Sequence, residues 1–392
     1  MSSTQADYAI IGAGAAGLQL CLRLLEDPFF SSRQILLIDA DAKTQNDRTW
    51  SFWERGAGRW DSLIWKSWDA ARFTAPGFSS DIPLRPYRYK SLRSADFYRH
   101  ALSLIDAAPN VTRILENASS LLEDEKGVCI ALTSGQKVCA KLVFDSRIPT
   151  GFDSDNPNVT GIWQHFGGWV VRFDEPVFNP EVFTMMDFNR RYEDTCSFTY
   201  ILPETAHQGL IEFTFFSPKC VSKSVYESEV ESYIQTHFPG KHFELVDTEF
   251  GIIPMSDYPF HQHHTARITQ IGTGGGWVKP STGYSFRNAE RYIDVLIGNL
   301  KTERVPSSGI YSSRHRFYDS LFLHRLKNEN AIGHELFTVM YKNNPIDRIF
   351  RFLDEESSFG DELQIMSTFS PWPFMRIIFQ KVGAGILRLI RP

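Results

Sequence analysis

Residues 7–25 read DYAIIGAGAAGLQLCLRLL. The apolar run Tyr8–Ile11 predicts a buried strand. The pattern Gly12-x-Gly14-x-x-Gly17 predicts a tight turn, and the apolar spacing from Leu18 onward predicts a helix. That order has a chemical reason. The first glycine makes the turn, the second lets the backbone approach a pyrophosphate, and the third lets helix and strand pack closely. The helix N-terminus then faces the phosphate charge. Residues 34–41, QILLIDAD, predict a second strand ending in Asp39, 22 residues after Gly17. A carboxylate there can accept both hydroxyls of an adenosine ribose. The glycine pattern alone is weak evidence, but with strand, helix, second strand and acid in order it predicts dinucleotide binding.

The chain has 392 residues, more than one core normally holds, so two lobes are expected. A net charge of −5 argues against nucleic acid as a partner. The five cysteines (Cys21, Cys129, Cys139, Cys196, Cys220) are scattered and form no CxxC pair. They are expected as reduced thiols in a cytosolic setting, without a zinc site. The run HQHH at 261–264 does not predict a metal centre, because adjacent residues on a turn rarely converge on one ion. With no run of about 18 apolar residues, a spanning helix is not expected. A strand beginning almost at once leaves no room for a signal peptide.

The glycine motif does not separate NAD from FAD, but the rest of the chain does. A simple NAD lobe would continue in regular βαβ units. Here an aromatic and basic stretch follows, DRTWSFWERGAGRW (47–60), then a helix near 94–107. A meander comes next, VTRILENASSLLED (111–124), GVCIALTSG (127–135) and KVCAKLVFDSR (137–147), with Asp145 near its end. This resembles two-domain flavoproteins of the hydroxylase type, in which a substrate lobe interrupts the FAD lobe. The FAD lobe would then resume at ARITQIGTGGG (266–276), with a helix over 283–300. The hydroxylase motif has Gly-Asp at this point, and here Thr273 takes the aspartate's place.

Further stretches resemble one family, the lycopene cyclases of carotenoid synthesis. They are DRTWSFW (47–53), VFDSR (143–147), WQHFGGW (163–169), MMDF (185–188), FTYILP (198–203), LIEFT (210–214), GIIPM (251–255) and GTGGGWVKPSTGYS (272–285). They fall in family order over roughly residues 8–300; RIFRFLDE and SPWPF resemble its C-terminal part more loosely. The resemblance implies an isomerisation without net oxidation. An acid protonates the terminal double bond of lycopene, the carbocation closes a six-membered ring, and proton loss gives the β-ring. It also implies FAD, active in its reduced form, with NADPH as electron source.

By that resemblance Glu212 matches the catalytic acid. In a strand of apolar neighbours its carboxyl pKa would be raised by burial. The family usually has a second acid next to it, where this chain has Phe213. The implied cofactor contacts are Gly12, Gly14, Gly17, Asp39, Arg48, Gly272, Thr273, Gly274, Gly275, Pro280, Gly283 and Tyr284. Arg48 could instead pair with an acid such as Asp47. The implied substrate pocket includes Trp50, Trp53, Asp187 and Phe213, with aromatic faces stabilising the cation. Asp187 also reads as a buried structural carboxylate.

The tail PFMRIIFQKVGAGILRLIRP (373–392) holds four basic residues and no acid. Wound as a helix, its basic and apolar residues separate, as in helices that lie in a membrane interface. A terminal helix packed on the protein is the alternative. The expected architecture is α/β: a Rossmann-type FAD-binding lobe (1–70, 95–155, 265–300) interrupted by an antiparallel-sheet substrate lobe (71–94, 156–264). A helical C-terminal region (305–392) carries the membrane-contact segment 373–391. The expected partners are lycopene and a membrane surface, not nucleic acid, and the expected location is cytoplasmic and peripheral to the membrane. Two other readings remain open: an FAD/NADPH monooxygenase of an apolar compound, and a non-enzymatic prenyl-lipid carrier of the GDP-dissociation-inhibitor kind.

Overall fold

The computed structural model describes residues 4–150, 152 and 159–379. In chain order the strands begin with β1 (Thr4–Ile11), β2 (Ile35–Ile38), β3 (Thr49–Arg55), β4 (Lys66–Trp68), β5 (Ala70–Ala75) and β6 (Phe78–Pro83). Then come β7 (Tyr87–Arg93), β8 (Val111–Ile114), β9 (Ala118–Glu123), β10 (Val128–Leu132), β11 (Lys137–Asp145) and β12 (Gly161–Phe173). The last are β13 (Val182–Asp187), β14 (Cys196–Pro203), β15 (Gln208–Ser217), β16 (Phe243–Ser256) and β17 (Ile268–Gln270). The helices are α1 (Ala15–Glu26), α2 (Ser94–Asp106), α3 (Lys223–His237), α4 (Phe286–Lys301), α5 (Ser313–Asn328), α6 (Gly333–Asn343), α7 (Ile346–Leu353) and α8 (Phe359–Ser367). Residues 371–379 are also helical.

The chain divides into two units. The first comprises Met1–Trp50, Leu92–Asp153 and Tyr258–Ser312. Its sheet runs β8-β2-β1-β11-β10-β9, with β8, β2, β1 and β11 parallel. Strand β17 joins β11 in parallel at Val143–Asp145, beyond the stretch that β10 pairs. Strand β2 and the second half of β1, Tyr8–Ile11, are apolar, as parallel strands covered on both sides must be. Ala9, Ile11, Leu36, Ile38 and Val143 share one core with the meander residues Val128, Ile130 and Val138.

The meander corrects the expectation of five free thiols. Cys129 and Cys139 are direct partners across β10 and β11, with Cα atoms 4.3 Å apart, and form a disulfide. Their spacing in sequence carries no sign of this, because strand register decides it. Cys21 and Cys196 are buried free thiols, and Cys220 is exposed.

The second unit comprises Ser51–Ser91, Ser154–Asp257 and Ser313–Pro392. Its large sheet runs β16-β12-β15-β14-β13-β5-β6, antiparallel except for β13 against β5. Helix α3 covers one face, its Tyr226, Val230, Tyr233 and Ile234 packing on Ile211, Phe213 and Phe215 of β15. Strand β15 is buried on both faces, because α5 also packs on β12, β15 and β16.

Candidate functional site

In the first unit, three loops interlock at the ends of β1, β11 and β17. Gly12 lies at φ +95°, and a Cβ on it would come 1.9 Å from Oγ of Ser146. A Cβ on Gly17 would come 1.9 Å from the carbonyl oxygen of Gly12, so only glycine lets α1 close on the turn. Gly272, at φ +57°, sits against Ala16, and Gly274 against the carbonyl oxygens of Ser146 and Arg147. The early and late glycine stretches are therefore walls of one cradle, joined through Ser146 and Arg147.

The cradle fits a dinucleotide. Around Gly14 a Cβ would meet nothing within 4 Å, and no side chain caps the N-terminus of α1. The amides of that first turn are thus available to an anion. Asp39 closes β2 beside them. Its Oδ2 accepts from the amide of Ala13 (2.6 Å) and its Oδ1 from that of Asp41 (2.8 Å). A carboxylate has further acceptor positions for ribose hydroxyls. Near the late loop, Gln270 Oε1, Trp277 Nε1 and Thr282 Oγ1 are buried without a hydrogen-bond partner among the described residues. Buried polar atoms are seldom left so, and a polar ligand would satisfy them.

Thr273 lies between Gly272 and Gly274 in one helical turn, whose end Gly276 (φ 71°) closes by donating to Gly272 and Thr273. Beyond it Gly283, at φ +76°, donates to the carbonyl of Lys279, and Lys279 donates to that of Tyr284. Pro280 stands inside that small ring. Asn288 of α4 fastens the segment by donating to the carbonyls of Trp277 and Tyr284. Arg48 is exposed, and its guanidinium donates to the carbonyl of Asp47 (2.9 Å). The Asp47 carboxylate accepts instead from Ser94 and Tyr98. Trp50 stacks on Phe286 at 5.1 Å, with Phe97 and Tyr98 against its edges.

In the second unit, Glu212 stands near the middle of β15 and is 7% exposed. Burial, with the like charge of Glu249 adding to it, pushes its carboxyl up to about 8; a hydrogen bond from Thr214 opposes both. At neutral pH this side chain is mainly the neutral acid. Its direct strand neighbours are Tyr200 on β14 and Gly168 on β12. The next row on the same face is Phe166, Thr214 and Phe198. The Tyr200 hydroxyl lies 3.0 Å from that of Tyr89, whose ring stacks on Phe183. A protonated carboxyl among aromatic rings is an arrangement that can deliver a proton and then tolerate a cation.

Phe213 and Asp187, expected in the substrate pocket, do not share the face of Glu212. The pleat turns Phe213 into the core under α3. Asp187 is buried in the same direction. It pairs in register with Thr199, which pairs with Phe213, and its Oδ2 accepts from the Tyr233 hydroxyl (3.2 Å) while Oδ1 accepts from the amide of Asn189. Trp53 lies face to face with Phe350 at 4.5 Å and donates to Asp354 (2.8 Å), an anchor for α7. Of the histidine run, His263 meets the Tyr258 hydroxyl and His264 accepts from the amide of Gln270. Ser146, Thr214, Gly168 and Glu249 stand in these sites without having been singled out in the sequence. Ser146 and Gly168 lie in VFDSR and WQHFGGW, but their roles depend on contacts across strands.

Several solved structures share the fold. A geranylgeranyl bacteriochlorophyll reductase-like protein from Thermoplasma acidophilum is 12% identical, with a TM-score of 0.60 over 96% of this chain and 99% of that one. Halogenase PltM is 13% identical, with a TM-score of 0.56 over 99% and 93%. Tetracycline destructase Tet(51) is 12% identical, with a TM-score of 0.56 over 91% and 99%. A variant of PltM was solved in complex with FAD. At such identities the likeness is one of fold, a Rossmann-type α/β architecture. No curated protein matches the sequence. The family described as lycopene cyclase protein matches residues 7–378, nearly the whole chain, and the chain belongs to that family.

Proposed function

We propose that this protein is a lycopene β-cyclase, an isomerase that closes the ends of linear lycopene into β-rings by acid catalysis. The observation that carries the reading is Glu212, buried, held protonated up to about pH 8, and flanked by aromatic side chains. In this reading Glu212 gives its proton to the terminal double bond. Internal attack by the next double bond closes the ring, and loss of a ring proton completes a reaction with no net oxidation. Tyr200, Phe166 and Phe198, on the face of Glu212, keep water from the cation and offer it their ring faces.

FAD is the proposed cofactor, held by Gly12, Gly14, Gly17 and Asp39 and by the late loop from Gly272 to Tyr284. Reduced FAD supplies an anionic ring system that stabilises cationic charge, and NADPH is the proposed electron donor. We also propose attachment to a membrane surface, from which so apolar a substrate must come. Among the described residues no helix is long and apolar enough to cross a membrane. Trp372, 78% exposed, and Phe379, 68% exposed, offer apolar side chains to such a surface. Residues 380–391 of the amphipathic segment lie outside the described residues.

The test is expression in bacteria that accumulate lycopene, followed by pigment analysis. β-Ring products are expected. Glu212→Gln is expected to lower the rate by about 10²–10⁴-fold while the protein keeps its flavin. Unchanged lycopene with well-folded, flavin-loaded wild-type protein would refute the reading.

A further inference from the structure

Strand β12 runs between β15 and β16, and one of its residues is a neighbour of two acids. Gly168 is the direct partner of Glu212 on one side and of Glu249 on the other. Direct partners in a sheet project to the same face, so Tyr200, Glu212, Gly168 and Glu249 form one row across four strands. The two acids stand two strand spacings apart, roughly 9–10 Å between backbones. Only Gly168 lies between them, and it has no side chain to separate them. A Cβ there would come 3.1 Å from Cβ of Glu212 and 2.9 Å from Cδ1 of Leu210. Gly168 therefore puts no side chain of β12 between the two carboxylates, and Leu210 of β15 packs against it. Glu249 is half-buried, whereas Glu212 is buried.

We propose that Glu249 is the companion carboxylate of Glu212, the two sharing one proton across the row at Gly168. The inference rests on reading Glu212 as the proton donor, and it makes Glu249 a positioning residue. Its negative charge keeps the proton on Glu212 until the polyene takes it. A second acid adjacent in sequence would point to the opposite face of β15, where Phe213 lies. Glu249 supplies the second acid on the same face, from another strand.

Other titratable groups stand on the elements around this row. Tyr200 meets Tyr89. Helix α5 packs on β12, β15 and β16 and brings titratable side chains of its own. Arg314, His315 and Tyr318 meet Glu362, and Arg325 pairs with Glu329. Arg316, Asp319, His324 and Lys327 complete its set, and Asp319 is buried. Asp319 is therefore the rival source of negative charge. Helix α3 packs on the opposite face.

The experiment follows the Glu212 carboxyl itself by infrared titration of the full-length protein. The protonated-carboxyl band is assigned by its loss in Glu212→Gln. In Glu249→Gln the titration midpoint is expected about one pH unit lower, as when a like charge is removed. Glu249→Asp, which keeps the charge, should hold the midpoint within a few tenths of a unit of wild type, and Glu249→Ala, which removes it, serves if the glutamine variant does not fold. Glu244→Gln, on the same strand but exposed and facing Arg172, should leave it unmoved. An unmoved midpoint in Glu249→Gln overturns the proposal. So does a wild-type midpoint that falls in Asp319→Asn and not in Glu249→Gln. The readout needs no turnover, so a protein that does not cyclise lycopene would fail the functional reading and leave this pairing separately decided.

Discussion

The Thr214 hydroxyl donates a 2.5 Å hydrogen bond to Oε1 of Glu212, two residues back along β15 and on the same face of the sheet. That bond favours the ionised acid, whereas burial and Glu249 favour the neutral one. Activity that depends on protonated Glu212 should therefore decline as pH rises past about 8. Thr214→Val removes the opposing bond at nearly constant volume. The alkaline limb of the rate profile should then move to higher pH, the opposite direction from Glu249→Gln. A limb that moves down would show that Thr214 does not act on this carboxyl.

Gly17→Ala would force a methyl against the backbone oxygen of Gly12, an atom that cannot rotate away. Helix α1 must then lift from the turn, at a cost of about 1–3 kcal/mol. Purified variant should show a lower melting temperature and less bound flavin per chain than wild type. Gly14→Ala, where there is room, should be much milder in melting temperature.

His165 is buried between the Tyr226 and Ser217 hydroxyls, and burial lowers its pKa to about 4. The unfolded chain takes up a proton near pH 6.5, and the folded chain does so only near pH 4. Between those values the unfolded state binds the extra proton, so stability falls as pH drops through the window. Urea unfolding at pH 7 and pH 4.5 should show wild type losing about 2 kcal/mol more than His165→Gln. Equal losses would mean that the imidazole is protonated in the folded protein.

Lys90 is buried on β7, 2.8 Å from Glu54 and 2.5 Å from Asp61. Lys90→Met removes the cation from two acids, one of them buried, and should cost about 3 kcal/mol. The double variant Lys90→Met with Glu54→Gln should recover part of that in a denaturant titration. No recovery would mean that Lys90 acts through its packing and not its charge.

The elements around the first glycine turn could be read from short stretches because glycine spacing constrains the backbone locally. Gly12, Gly14, Gly17 and Asp39 lie within 28 residues, and β1, α1 and β2 follow from them directly. The late loop could be read as a return to the same lobe. Its contacts with Ser146 and Ala16 could not, because they depend on where β11 and β17 end. The expected helix near 94–107 corresponds to α2 at Ser94–Asp106, where the apolar spacing is local.

What sequence alone determined was the chemistry available in each segment: a glycine turn, an acid after a strand, and a glutamate among apolar residues. Each follows from interactions a few residues long. Tertiary structure alone decided which of these groups meet. Register across β10 and β11 bonded Cys129 to Cys139. The pleat of β15 sent Phe213 under α3 and Glu212 to the opposite face. The order β16-β12-β15 brought Glu249, 37 residues beyond Glu212, into its row across Gly168. A strand's side chains alternate by a rule that any sequence obeys, but its neighbours and their register are set by burial over the whole sheet.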